Sequence, residues 1–337
     1  MTDTRRIGDT DVYPIGLGCM NLSHAYGPPT EPEIATRLLN QALDRGCNFL
    51  DTATMYGAGR NEQLIGKAIG HRRNEYFLAS KCVAIIRDGE RVIDARPKTI
   101  KQSCDESLSR LGTDVIDLYY MHRPDPEVPI EDSVGALSEL VEAGKIRFAG
   151  LSEMGEGLLT RAQATHPIAA LQSEYSLWVR NPEIAVLDAC QRQGTAFVAF
   201  SPVGRGFLAD PPFDPAQMHE KDMRRIFPRF SPENYPGNLE LLDEARAIAE
   251  EAGCSLAQLA LAWLLRKGQH VIPIPGTTSP AHLNENVEAA RVSLSDDIIA
   301  RLDAHFAPER AVGPRYTAAQ QKTVDTERFA FELSGAR

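Results

Sequence analysis

The order of apolar runs along the chain predicts an α/β fold, a (β/α)8 TIM barrel with an N-terminal β-hairpin and long loops on the C-terminal face. Three observations carry that prediction. Eight short runs rich in β-branched and aromatic residues recur at intervals, the pattern of buried parallel strands: 15–17, 48–51, 76–81, 115–121, 146–152, 169–174, 195–200 and 270–275. Amphipathic segments of helical period lie between them. Polar residues collect at the ends of the runs, and in a barrel those ends share one rim.

Taken in order, the segment 6–12 (RIGDTDV) reads as a small hairpin ahead of the first barrel strand. Thr30-Glu31-Pro32-Glu33 reads as a capping box with proline in the first turn, followed by Ile34, Leu38, Ala42 and Leu43 at helical spacing. Ser255-Leu256-Ala257-Gln258 repeats that start signal before ALAWLLRK. Between them, 204–237 is a long loop rich in Pro and Phe without periodicity, and long structureless loops in compact folds are usually functional. A doubly wound sheet is the alternative. Its phosphate-binding fingerprint GxGxxG is not met by Gly16-Leu17-Gly18-Cys19-Met20-Asn21, which lacks the third glycine.

The length of 337 residues fits one barrel unit over 1–337, with the tail 307–337 expected to pack over the pocket, because barrels of about 250 residues often carry insertions. Lys and Arg number 36 against 46 Asp and Glu, a net charge of −10 that disfavours nucleic acid and anionic lipid as partners. No stretch reaches the ~18 apolar residues that span a bilayer. The first residues, MTDTRRIGDTDVYPIG, contain no apolar segment of a secretory signal, so the expected location is cytoplasmic. Six cysteines lie far apart with no CxxC pair and read as reduced, mostly structural residues.

Asp51, Lys81, His122, Ser152, Gln172, Glu174 and Ser201 all stand at or just past strand ends. Within that set, Asp51 is followed five residues later by Tyr56, spacing that lets a loop fold a phenol over the barrel mouth. A free phenol titrates near 10, and an adjacent ammonium lowers that value. Lys81 is expected to supply the ammonium, Asp51 to hold it protonated, and His122 to polarise a substrate oxygen, which together amounts to general acid catalysis of hydride delivery to a carbonyl. Each residue also has an ordinary reading as a cap, a solvated strand end or a turn; only the shared rim groups them. A metal site is not indicated: there is no HExxH and no Cys/His cluster. Farther on, Gly276-Thr277-Thr278-Ser279-Pro280 offers two hydroxyls, an N-cap and a proline at the first helical position. Such a helix start suits a phosphate, and taken alone it reads more readily as an ordinary helix start.

These residues sit in GLGCM, FLDTATMYG, LASK, IDLYYMHRPD, GLSE, LQSEYS, FSPVGRGFL and IPGTTSPAHLNEN, which follow in order along nearly the whole chain. In these motifs the chain resembles the aldo-keto reductase family. The resemblance implies an NAD(P)H-dependent oxidoreductase that reversibly reduces small aldehydes or ketones to alcohols, with a catalytic tetrad of Asp51, Tyr56, Lys81 and His122 and with Tyr56 as general acid. It implies cofactor contacts from Ser152 and Gln172 at the carboxamide, Phe200 on the nicotinamide, Ser201, Val203, Gly204 and Arg205 at the pyrophosphate, and Gly276, Thr277, Thr278, His282, Glu285 and Asn286 around the adenosine end. Met20, Tyr26, Met55 and Trp178 are implied as the substrate pocket and suggest an apolar or aromatic substrate. Relatives selective for NADPH commonly carry Lys or Arg near the last motif, where this chain has Gly276, Ser279 and His282. Hydroxyls and an imidazole bind phosphate more weakly than a guanidinium, so NADP(H) is favoured and NAD(H) is the competitor. Two other classes are weighed against catalysis: a nicotinamide-binding regulatory subunit with little turnover, and a metal-assisted barrel hydrolase. Arg123, beside His122, reads either as an anion contact or as one half of a surface ion pair.

Overall fold

The computed structural model describes residues 4–333. An antiparallel hairpin of β1 (Arg5–Ile7) and β2 (Thr10–Val12) comes first. Then β3 (Leu17–Gly18), α1 (Pro32–Asp44), β4 (Phe49–Asp51), α2 (Arg60–Ile69) and β5 (Phe77–Cys82) open the α/β alternation. A second hairpin, β6 (Ala84–Arg87) and β7 (Glu90–Ile93), interrupts it before α3 (Pro97–Leu111). The alternation resumes with β8 (Ile116–Met121), α4 (Ile130–Glu142), β9 (Ile146–Ser152), α5 (Glu156–Thr165), β10 (Ile168–Glu174), α6 (Val186–Gln193) and β11 (Ala196–Phe200). After the long loop come α7 (Tyr235–Leu239), α8 (Leu241–Glu251), α9 (Leu256–Arg266), β12 (Val271–Pro273), α10 (Pro280–Glu288) and α11 (Asp296–His305), and the tail adds the short α12 (Ala318–Gln321) and α13 (Ala330–Leu333).

The large sheet is parallel, in the order β12-β11-β10-β9-β8-β5-β4-β3. Its two ends meet where the Gly16 amide donates to the Pro273 carbonyl at 2.9 Å and Gly18 to Pro275 at 3.3 Å, which closes a (β/α)8 barrel. Glycine is needed at that seam: a Cβ on Gly18 would stand 2.8 Å from the Ile274 carbonyl oxygen.

Side chains alternate between two cores, as a parallel sheet covered on both faces requires. Inside the barrel, Phe49, Phe77, Leu118, Tyr120, Val198 and Ile272 fill the space, and Ile7 and Val12 of the first hairpin stopper the end where the strands begin. Between sheet and helices lies the larger cluster. There α9 buries Leu256, Leu259, Ala260, Trp263 and Leu264, each large aliphatic side chain contributing roughly 1.5–3 kcal/mol on leaving water.

The eight predicted strands are present with ends shifted by up to two residues. The capping box at Ser255 forms, its hydroxyl accepting from the Gln258 amide. That at Thr30 does not: α1 starts at Pro32 with Glu31 as N-cap and no side-chain cap bond, and the Thr30 hydroxyl turns back to the Asn21 carbonyl. The loop 204–237 is not structureless; four short 3-10 turns lie within it and α7 begins before its end. All six cysteines are unpaired, five of them buried. Among the described residues no single helix is long and apolar enough to cross a membrane.

Candidate active site

Three turns on the rim where the strands end are tight enough to force left-handed backbone on residues with a Cβ. Val83, Glu153 and Ser201, each the residue immediately after β5, β9 or β11, have φ of 76°, 55° and 51°. Such conformations cost about 1–3 kcal/mol each and persist where surrounding structure over-determines them. The rim surrounds a cavity of about 610 Å³.

Behind the lining residues Asp51 and Tyr56 the Lys81 ammonium, at the penultimate position of β5, is fully buried. It donates to an Asp51 carboxylate oxygen, to the Thr52 carbonyl at 2.9 Å and to the Tyr56 hydroxyl at 3.2 Å. The other Asp51 oxygen accepts from the Gln172 amide nitrogen at 2.7 Å. Every donor of the ammonium is thereby used, and a buried charge is tolerated only with such pairing. Tyr56 is held in place by its loop: Thr54 donates its amide to the Lys81 carbonyl, and buried Asn61 ties the loop to the Cys19 carbonyl, to Thr52 and to Ser23. His122, just past β8, donates its amide to the Cys82 carbonyl and sets its ring edge-on to Tyr56 at 5.8 Å between centroids.

Burial works against the Lys81 ammonium, but Asp51 and Tyr56 outweigh it and hold its proton more firmly than usual. Burial pushes the Asp51 carboxyl up, against the pull of Lys81 and the bonds from Lys81 and Gln172. The expected lowering of the Tyr56 pKa is reversed: burial raises it more than Lys81 lowers it, so the phenol keeps its proton. His122 lies well below the ordinary imidazole range through burial first and then the charges of Arg123, Lys81 and Arg91, which leaves a neutral ring. Its Nδ1 is buried without a partner.

The cavity wall also includes Ser152, Gln172, Phe200, Ser201, Val203 and Arg205 in or after β9, β10 and β11, and Gly276, Thr277, Thr278, His282, Glu285 and Asn286 after β12. Ser279 caps α10, its hydroxyl accepting from the His282 amide, with Pro280 in the first turn. Met20, Tyr26 and Met55 reach the cavity.

Besides fully buried Lys81, two implied residues do not. Trp178 is 5% exposed, stacks on Phe207 at 3.9 Å and donates its indole N–H to Asn238, so it is a core residue under the long loop. Gly204 faces that indole, where a Cβ would lie 3.3 Å from the ring. Arg205 lines the cavity, but its guanidinium is spent on a bidentate pair with Glu174 at 2.9 and 3.0 Å. Beside that pair Arg315 of the tail grips buried Glu153 at 2.7 Å, and Tyr316, Gln320 and Thr323 of the tail line the cavity.

Sequence reasoning missed Asn21, His24, Arg91, Arg224 and Tyr316, which also line it. Arg91 had a signal: Asp88-Gly89, with φ of 53° and 83°, is the two-residue turn of a hairpin. Among the described residues no group of three or more His, Cys, Asp or Glu is placed to hold a metal ion.

With this geometry in hand, comparison with known proteins is decisive. The Aldo/keto reductase family profile matches residues 14–307. The chain belongs to that family. As an aldo-keto reductase it is an oxidoreductase, and its relatives agree with the fold. It is 42% identical over 320 residues to aldo-keto reductase yakc of Schizosaccharomyces pombe, a protein whose name specifies NADP(+); the match covers 93% of this chain and 94% of that one. It superposes on a glycerol dehydrogenase from Gluconobacter oxydans with TM-score 0.83 at 28% identity, covering 94% of this chain and 99% of that one. An aldo/keto reductase from Klebsiella pneumoniae in complex with NADP and acetate gives TM-score 0.73 at 26% identity, over 94% and 99% of the two chains.

Proposed function

We propose that this aldo-keto reductase reduces an aldehyde or ketone to its alcohol, reversibly, using NADPH, with Tyr56 as the general acid. The observation that carries the reading is the contact of the Lys81 ammonium with the Tyr56 hydroxyl at 3.2 Å, in a pocket where Asp51 fixes the ammonium. When bound, the nicotinamide supplies the hydride to the carbonyl carbon.

The residues present suit that cofactor. Gln172 spends its amide N–H on Asp51 and keeps its amide oxygen as an acceptor for a carboxamide, with the Ser152 hydroxyl beside it in the wall. The capped start of α10, with Thr277 and Thr278, presents backbone N–H groups suited to phosphate. NADP named for the yeast and Klebsiella relatives supports NADPH over NADH here. His282 then stands as the basic residue of that loop.

In the reductive direction Tyr56 gives its proton to the developing alkoxide. Lys81 stabilises the phenolate left behind, and Asp51 and Gln172 keep Lys81 from moving toward it. Neutral His122 donates a hydrogen bond to the substrate oxygen without adding a charge. In oxidation the same phenolate accepts the alcohol proton. Loss of nicotinamide absorbance with an aromatic aldehyde tests this: Tyr56→Phe is expected to lose about 10²–10⁴-fold in turnover while NADPH binding persists. Full turnover in that variant, or cofactor binding by the wild type with no turnover of any carbonyl, would overturn it.

A further inference from the structure

The cavity wall carries four guanidiniums, Arg91, Arg123, Arg205 and Arg224. Two are committed to carboxylates, Arg205 to Glu174 and Arg224 to Asp222. Arg91 and Arg123 form no ion pair with any described carboxylate, although the chain carries ten more acidic than basic residues. The single bond Arg123 makes from its guanidinium goes to the His122 carbonyl at 2.8 Å, and its Nε is buried with no acceptor. Arg91 as a residue is exposed, yet partial desolvation and then repulsion by Arg123 lower its proton affinity. Two like charges are thus held at one cavity wall with no carboxylate bonded to either; Glu153, whose charge Arg123 favours, is bonded to Arg315 instead.

Their place in the fold says what kind of partner that is. Arg91 follows β5 in the second hairpin and Arg123 follows β8, and these neighbouring strands also supply Lys81 and His122. The loops suited to the cofactor's phosphates follow β11 and β12, on the other half of the barrel order. A guanidinium donates in a planar fork that matches carboxylate oxygens. We infer that Arg91 and Arg123 bind a carboxylate on the substrate, so that the enzyme prefers carbonyl compounds carrying a carboxylate remote from the reacting carbon. The inference rests on the carbonyl-reductase reading and adds the substrate class. Met20, Met55 and Tyr26 then wall the carbon skeleton between the two polar ends.

The test compares para-formylbenzoate with its methyl ester, with NADPH, in wild type, Arg91→Met and Arg123→Met. Wild type is expected to favour the carboxylate by about tenfold or more in kcat/KM, chiefly through KM, with the preference shrinking as salt is added. In each variant the ratio falls toward one. Arg91 is exposed, so its variant stands as a folding-safe arm. A wild-type ratio near one, or a ratio kept in both variants, overturns the inference while leaving the reductase reading intact. Variants that weaken NADPH binding but keep the ratio overturn it too, and so does higher kcat/KM on para-formylphenyl phosphate than on the carboxylate. Reduction of neither aldehyde by wild type would instead sink the proposed reaction.

Discussion

The two ends of the barrel are built from opposite materials. Where the strands begin, the first hairpin presses Ile7 and Val12 onto Phe49, Phe77 and Phe148, with aromatic pairs at 5.7 and 6.2 Å. Where they end, buried Asp51, Lys81, Glu153, Glu174 and Arg315 and half-buried Arg205 replace them, and left-handed residues terminate the strands. An apolar end gains free energy simply by excluding water. A charged end does so only if its ions are paired, and here Asp51 pairs with Lys81, Glu153 with Arg315 and Glu174 with Arg205. One end therefore stabilises, and the other uses part of that stability to hold groups in a reactive arrangement.

Substitutions at the two ends should separate those roles. Lys81→Met is expected to abolish turnover and, by leaving Asp51 buried and unpaired, to cost roughly 3–5 kcal/mol of stability. Adding Asp51→Asn should recover most of the stability and none of the turnover; thermal melts and NADPH oxidation read the two separately. At the opposite end, Phe49→Ala should cost a similar roughly 3–5 kcal/mol through its cavity. Below its melting point that protein should keep its KM values, and a changed cofactor affinity would blur the division between the ends.

Smaller effects sharpen the contrast. Ser255→Ala removes the cap of α9, remote from the tetrad, and should cost about 1 kcal/mol with no change in kcat. The smallest effect is an expected absence. With the His122 pKa lowered the ring is already neutral above its depressed value, and with the Tyr56 pKa raised the phenol stays protonated. The reductive rate should then be flat between about pH 5 and 8, where an ordinary imidazole titrates. A sigmoid centred in that window would show a charged His122 at work.

Much of this was legible in the chain because barrel chemistry follows strand ends. Asp51, Lys81 and Gln172 are read off once the strands are placed, and parallel pairing then brings together residues far apart in sequence. What escaped is set by tertiary contacts alone. Trp178 lies in a rim loop by sequence, yet the long loop folds over it through Phe207 and Phe230. Thr30 carries the pattern of a capping box, but the helix begins one residue later than that box needs, with Glu31 as N-cap, and the Thr30 hydroxyl donates to the Asn21 carbonyl instead. The sign of the Tyr56 shift depends on how much water the folded loops remove, which spacing does not report.

The central claim is that the phenol and the ammonium act as one device. Residues acting as a unit are strongly non-additive, so the most direct measurement is kcat/KM for Tyr56→Phe, Lys81→Met and the two combined. The account predicts that the double variant is no slower than the slower single one. Losses that multiply across the pair would show two independent contributions and contradict it.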